Sequence, residues 1–172
     1  MTQTTPVLQG LPPLLHVDTR LVVLGSFPGV ASLRAQQYYG HPHNQFWKIM
    51  GTLLSPNVAD VLAMPYAARA SWLLSQGVGL WDVYAACERE GSLDAHIQNA
   101  QPNDLQSLRT HCPALRAIAH NGGESFKHAK HTRLLGLPVY RLPSTSPANA
   151  SWSFARKLDA WREVFQAVGL LR

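Results

Sequence analysis

Cysteine is scarce in this chain. Cys87 and Cys112 are the only two among 172 residues, too few for a disulfide framework, a four-cysteine zinc site or a four-cysteine iron–sulfur cluster. Reduced, buried thiols are the expectation. Long apolar runs are missing too: none approaches the roughly 20 residues that a membrane-spanning helix needs. The opening MTQTTPVLQG has neither a basic start nor an apolar signal core, so a cytoplasmic chain with no membrane partner is expected. No repeat, low-complexity tract or linker interrupts the sequence, which predicts a single domain over 1–172, its ordered part beginning near residue 8. Gly25-Ser-Phe-Pro-Gly29 lacks the Gly-Lys-Ser/Thr ending of a phosphate loop and does not match the Gly-x-Ser-x-Gly nucleophile elbow, so nucleotide-triphosphate chemistry and serine hydrolysis through Ser26 or Ser144 find little support.

Acidic residues are thin where basic ones gather. The chain carries 15 Lys plus Arg against 10 Asp plus Glu, a net charge of +5. Within 109–157 stand Arg109, Arg116, Lys127, Lys130, Arg133, Arg141, Arg156 and Lys157, against the single acid Glu124. A stretch of that sign favours a polyanionic partner, while solvated surface charge is the plainer account of the same residues.

What the sequence does have is a repeating pattern of short apolar runs that end in small or polar residues. Leu21-Val-Val-Leu24 stops at Gly25, Ala117-Ile-Ala119 at Asn121-Gly-Gly123, and Val139-Tyr-Arg-Leu142 at Pro143-Ser-Thr-Ser-Pro147; Val78 to Val83 is a fourth candidate. Unbroken runs of this length fit strands buried on both faces of a parallel sheet. Helical patterns lie between them at 45–54, 66–76, 104–111, 124–132 and 153–168. The alternation predicts an α/β fold with crossover connections. In such folds ligands bind beyond the carboxyl ends of the strands, which is where the three small-residue loops fall.

Between the first strand and the next helix comes Tyr38-Tyr-Gly-His-Pro-His-Asn-Gln-Phe-Trp47. Its aromatic, histidine and amide side chains suit a pocket that stacks a flat base and hydrogen-bonds it. Phe27, Tyr39 and Phe46 are the stacking candidates, with core packing as the competing account of each. Asp82 and Asn121 end their strands on the same edge, where either could hydrogen-bond a base. Asn44 is also well placed to cap the helix that starts at 45. His41 and His43 form a His-x-His pair, but no carboxylate lies near them in sequence and Pro42 separates them, so no metal site is expected.

Five segments, taken in order, resemble the uracil-DNA glycosylase superfamily and most closely its hypoxanthine-DNA glycosylase (DNA-deoxyinosine glycosylase) branch. They are Leu24-Gly-Ser-Phe-Pro-Gly29 with Ser32, Tyr38 to Trp47, Gly79-Leu-Trp-Asp-Val-Tyr-Ala-Ala-Cys-Glu-Arg89, Asn121-Gly122, and Leu142-Pro-Ser-Thr-Ser-Pro-Ala-Asn-Ala-Ser151. The resemblance implies a three-layer α/β/α sandwich around a four-stranded parallel sheet, needing no cofactor and no metal. It implies a monomeric, monofunctional glycosylase of base excision repair. That enzyme would hydrolyse the bond between deoxyribose and a deaminated base in DNA, hypoxanthine foremost. A uracil or mismatch glycosylase and a non-catalytic lesion-binding module are the alternatives. Most branches carry Asp or Asn inside the first loop, and Gly25-Ser-Phe-Pro-Gly29 has neither.

In the branch it resembles, the catalytic amide maps to Asn44, with Gly25, Ser26, Phe27, Pro28, Gly29, Tyr39, Phe46, Asp82 and Asn121 about the base. His43, Ser144, Thr145, Ser146, Arg156 and Lys157 would meet DNA phosphate. The branch commonly has Arg where this chain has His43, and a mostly neutral imidazole would weaken a phosphate contact there. No lysine matches a family nucleophile, so no lyase step is expected.

Overall fold

The computed structural model describes residues 5–171. The ends of the expected 1–172 domain, residues 1–4 and 172, lie outside the described residues. The chain opens with β1 (Val7–Gln9), β2 (Leu21–Gly25), α1 (Val30–Ala35), α2 (Phe46–Leu54), α3 (Val58–Ala63) and α4 (Tyr66–Ser75). It continues through β3 (Val78–Asp82), β4 (Tyr84–Glu88), β5 (Gln98–Pro102), α5 (Leu108–His111) and β6 (Ala117–Asn121). Last come α6 (Gly123–Phe126), α7 (Ala129–Thr132), β7 (Val139–Leu142) and α8 (Phe154–Val168).

The four expected strands form one parallel sheet of order β3-β2-β6-β7. In β2, Leu21 faces Val78 on one side and Ala117 on the other, and β6 sets Ile118 beside Val139. Strand alternation sends Leu21 and Val23 to one face, Val22 and Leu24 to the other, all four fully buried. The first face packs on Phe46, Ile49 and Met50 of α2, Leu73 of α4, and Trp161 and Phe165 of α8. The second packs on Leu105, Leu108, Leu115 and Leu135.

Helix α8 shows why the sequence folds this way. Trp161, Val164, Phe165 and Val168 repeat at the helical period on its buried side. Ser153 caps its start by accepting from the Arg156 N–H at 3.2 Å, and Gly169 ends it at φ +80°. Removing the Trp161 ring would cost about 3–5 kcal/mol.

Three departures from the sequence expectations matter for the site. The expected helix at 124–132 divides into α6 and α7, and Ser125 and Thr132 close from either side on His120, each 2.8 Å from a ring nitrogen. Ser125 gives its proton to the Leu24 carbonyl (2.7 Å), which leaves it to accept from Nδ1. Burial pushes His120 down to about 4, so a neutral ring ties this layer to the sheet. Second, β1, β4 and β5 form an antiparallel sheet of order β1-β4-β5 that the sequence does not announce. β1 is too short for alternation to show, and Gln98–Pro102 is polar and largely exposed. Third, Asn44 lies one residue before the helix boundary: Gln45 is the N-cap of α2, while Asn44 Oδ1 accepts from the Phe46 N–H at 2.9 Å.

Candidate active site

The loops that leave β2, β6 and β7 enclose a cleft of about 790 Å³ at the carboxyl rim of the parallel sheet, the position such sheets reserve for ligands. Close packing of the loops depends on glycine. Gly122 has φ +99°, and a Cβ there would come 3.1 Å from the Ser144 Cβ. At Gly25 a Cβ would lie 2.5 Å from Asp82 Oδ1 and 3.2 Å from the Tyr39 hydroxyl. Only a bare Cα lets the first loop, Asp82 and Tyr39 meet at the bottom of the cleft.

Tyr39 stands at φ +56°, a costly conformation for an aromatic residue. Its ring stacks on Phe46 with centroids 4.2 Å apart. Its hydroxyl is sealed from solvent with no hydrogen-bond partner among the described residues, and Asp82 Oδ2 is in the same state. Burial, reinforced by the negative charge of Asp94, pushes the Asp82 carboxyl up to about 7 against the weaker pull of Arg89. Burial likewise raises Tyr39 far beyond an ordinary phenol.

The remaining walls are fixed by paired bonds. Arg89, 5% exposed, donates from Nη2 to the Pro28 carbonyl (2.5 Å) and from Nε to that of Gly91 (2.9 Å), and lies over the Phe27 ring. Ser26 donates to Asp94 Oδ1 at 2.6 Å. Asp94 is exposed as a residue, yet its carboxyl is desolvated enough against the loop to be lifted, with the Ser26 hydroxyl opposing the rise. Asn121 donates from Nδ2 to Thr145 Oγ1 (3.0 Å) while its Oδ1 accepts from the Thr145 N–H (3.1 Å), so its amide joins β6 to the loop after β7. The Gln45 N–H donates to the Thr145 carbonyl at 3.0 Å, tying the Asn44 turn to that same loop. Two core tryptophans fasten the rim as well: Trp47 Nε1 donates to the Tyr38 carbonyl (2.9 Å) and Trp161 Nε1 to that of Pro143 (3.1 Å).

Gly25 through Gly29, Tyr39, Asn44, Asp82, Asn121 and Ser144 through Ser146 all line the cleft. Phe46 does not. It is fully buried beneath Tyr39, because the first turn of α2 directs it into the core, so it supports the stacking surface without being part of it. Lys157 also departs from expectation: at 2% exposure it sits on the buried side of α8 between Phe154 and Trp161, and burial lowers its ammonium. It is not a surface cation for phosphate. His43 is exposed but outside the lining, its N–H donating to His41 Nδ1 (3.0 Å). Arg156 is exposed and stacks on Trp152, 4.3 Å from the ring centroid; Trp152 itself lines the cleft.

Sequence reasoning missed Asp94, Arg141 and Trp152, all in the lining. Asp94 arrives through the unannounced antiparallel sheet, and no local spacing links it to Ser26. Arg141 had a signal, since β7 runs into the small-residue loop and alternation turns its exposed side chain toward the rim. Among the described residues no three His, Cys, Asp or Glu side chains are placed to hold a metal ion, and no helix is long and apolar enough to cross a membrane.

Fold and cleft together define an α/β protein with a ligand-sized cleft at its sheet rim, walled by a Gly-Ser-Phe-Pro-Gly loop and a Pro-Ser-Thr-Ser-Pro loop. The chain belongs to the uracil DNA glycosylase superfamily, whose family model matches residues 12–167. It is similar to a protein of Methanosarcina acetivorans named hypoxanthine DNA glycosylase, 37% identical over 160 residues that cover 93% of this chain and 99% of that one. A Methanosarcina barkeri protein of the same name is 35% identical over 158 residues, covering 92% and 98%. The solution NMR structure of a Methanosarcina acetivorans protein, provisionally named a uracil DNA glycosylase, superposes with a TM-score of 0.84 at 36% identity over 95% of this chain and 99% of that one.

Proposed function

We propose that this chain is a DNA glycosylase of base excision repair that hydrolyses the N-glycosidic bond of a deaminated base, hypoxanthine foremost, acting as a single-domain monomer. The observation that carries the reading is the near full-length similarity to two relatives named hypoxanthine DNA glycosylase. A cleft at the sheet rim lined by Tyr39, Asp82 and Asn44 is in keeping with it.

Departure of the base leaves positive charge on the sugar, so the enzyme must hold water on the open face and favour that charge. Asn44 is our candidate for the water-holding group. Its Oδ1 is oriented by the Phe46 N–H (2.9 Å) and keeps a second lone pair, while Nδ2 has no partner among the described residues, so the amide can position water with both ends. A neutral amide is a weak base, which puts part of the work on activation of the leaving group. Phe27 and Tyr39 supply flat surface for the extruded base. The hydroxyls and N–H groups of Ser144 to Ser146, with Arg141 and Arg156, supply contacts for flanking phosphates. No lysine is among the residues lining the cleft, in keeping with a monofunctional hydrolase lacking a Schiff-base step.

The test uses duplexes each holding one hypoxanthine, uracil, xanthine or mismatched thymine, incubated with the protein and then cleaved by alkali at abasic sites. Strand cleavage at hypoxanthine above the others, and dependent on the alkali, is expected. Cleavage at uracil or thymine alone would make it a uracil or mismatch enzyme, and binding to altered duplexes with no abasic product would make it a lesion-binding module.

A further inference from the structure

The Asp82 carboxyl lies at the bottom of the cleft, where it finds no hydrogen-bond partner for Oδ2 among the described residues. It is 5% exposed and forms no ion pair with any of them. Its other oxygen abuts the bare Cα of Gly25, where any Cβ would stand 2.5 Å from it. A carboxyl in such a place holds its proton unless a donor or cation is near. The groups that face it are Asp94 from the segment after β4, which opposes ionisation, Arg89 from the end of β4, which favours it less strongly, and the un-ionised phenols of Tyr38 and Tyr39. The Arg89 guanidinium gives Nη2 and Nε to the carbonyls of Pro28 and Gly91, forms no ion pair with Asp82, and keeps Nη1 buried without a partner among the described residues. Asn121, on the neighbouring rim, is engaged with Thr145.

We propose that Asp82 is the proton donor to the leaving purine. This rests on the reading of the protein as a hypoxanthine glycosylase and supplies the leaving-group activation that Asn44 cannot. As the N9–C1′ bond breaks, its electron pair passes to the purine and the Asp82 proton moves to a ring nitrogen, N7 or N3. The base therefore departs neutral. Water adds to the sugar cation at C1′, and the proton it releases returns through solvent to the Asp82 carboxylate, restoring the acid. A buried acid that titrates near 7 is matched to this task at neutral pH.

Single-turnover excision is measured from pH 5.5 to 9 on duplexes containing deoxyinosine, 7-deaza-deoxyinosine or 3-deaza-deoxyinosine, with the parent and Asp82→Asn. The parent rate on deoxyinosine is expected to be level below about pH 7 and to fall tenfold per unit above it. Asp82→Asn should be slower by about a hundredfold at pH 6 and flat with pH. On the analogue that lacks the accepting nitrogen, the parent should lose its falling limb and the substitution should cost less than about threefold, which identifies the nitrogen. A structural role alone would not erase a pH limb on one analogue only. Persistence of the limb in Asp82→Asn, or the same loss on all three substrates, overturns the proposal. If the variant does not fold, the parent profiles on the three substrates decide alone: a falling limb shared by all three, or by none, overturns it. A parent protein that excises no hypoxanthine at any pH removes the functional reading itself, and the proposal with it.

Discussion

Asn44 does two jobs that substitution can separate. Its Oδ1 accepts from the Phe46 N–H at 2.9 Å at the start of α2, and its side chain lines the cleft. Loss of such an acceptor at a helix start costs about 1 kcal/mol, and Ser replaces it well. Ser is, however, one atom too short to present a carboxamide to water. Asn44→Ser should therefore melt within about a degree or two of the parent, and Asn44→Ala should lose about 1 kcal/mol of stability. Both should retain binding to deoxyinosine-containing duplex, because the loop at 144–146, proposed to meet DNA phosphate, is held by Asn121 and by the Gln45 N–H rather than by the Asn44 side chain. If the amide positions the attacking water, both should lose about a hundredfold or more in single-turnover rate, some 3 kcal/mol at the transition state. Thermal melting, duplex binding and single-turnover excision on the same samples give the answer. A folded Asn44→Ser protein excising hypoxanthine at close to the parent rate would remove Asn44 from the chemistry and leave it a helix cap.

Asp82→Asn should raise stability in alkaline buffer. The folded carboxyl titrates near 7 rather than its ordinary 3.8, so its contribution is fully present below about 4 and is lost as pH rises to 7, by at most about 4 kcal/mol. Urea melts should show the variant ahead of the parent at pH 8.5 and the gap closing towards pH 4; equal gaps at both ends would mean that Asp82 is ionised in the fold. Gly25→Ala, which drives a Cβ to 2.5 Å from Asp82 Oδ1, should cost about 1–3 kcal/mol by calorimetry and depress excision more than duplex binding. Arg156→Gln should weaken damaged and undamaged DNA alike and reduce the salt slope by about one unit. Lys157→Met, on the buried side of α8, should leave both affinity and slope unchanged in the same titrations.

The parallel sheet was legible because its strands are continuous apolar runs bounded by glycine, asparagine or proline, and the burial of Leu21 to Leu24 on both faces is the physical cause of that pattern. The antiparallel sheet had no such signature: Gln98–Pro102 buries too little for its composition to be constrained. The small-residue loops were readable as site walls, since their conformations demand particular residue types. Long-range partners were not. Asp94 reaches Ser26 across 68 residues, and Asn121 reaches Thr145 across 24. Lys157 was misread for a related reason. Beside Arg156 in sequence it looks like half of a basic pair, but a helical turn of about 100° per residue sends one side chain outward and its neighbour into the core.

The places where local rules fail converge on one point. A tyrosine in the left-handed region, a phenol and a carboxyl oxygen without partners among the described residues, and a glycine whose Cβ would crowd that carboxyl all meet around Gly25. Other buried polar groups near the sheet rim do find partners: His120 has two hydroxyls and Asn121 has Thr145. Of the six side-chain atoms buried without a partner among the described residues, the two that belong to cleft-lining residues are the Tyr39 hydroxyl oxygen and Asp82 Oδ2. Both groups are polar, meet beside Gly25 and face the bottom of the cleft, an arrangement suited to the edge of a flat heterocycle that brings its own donors and acceptors. Under the proposed reading, binding of the base would offset the strain and desolvation held here, and Asp82 would serve both the recognition of the base and its departure.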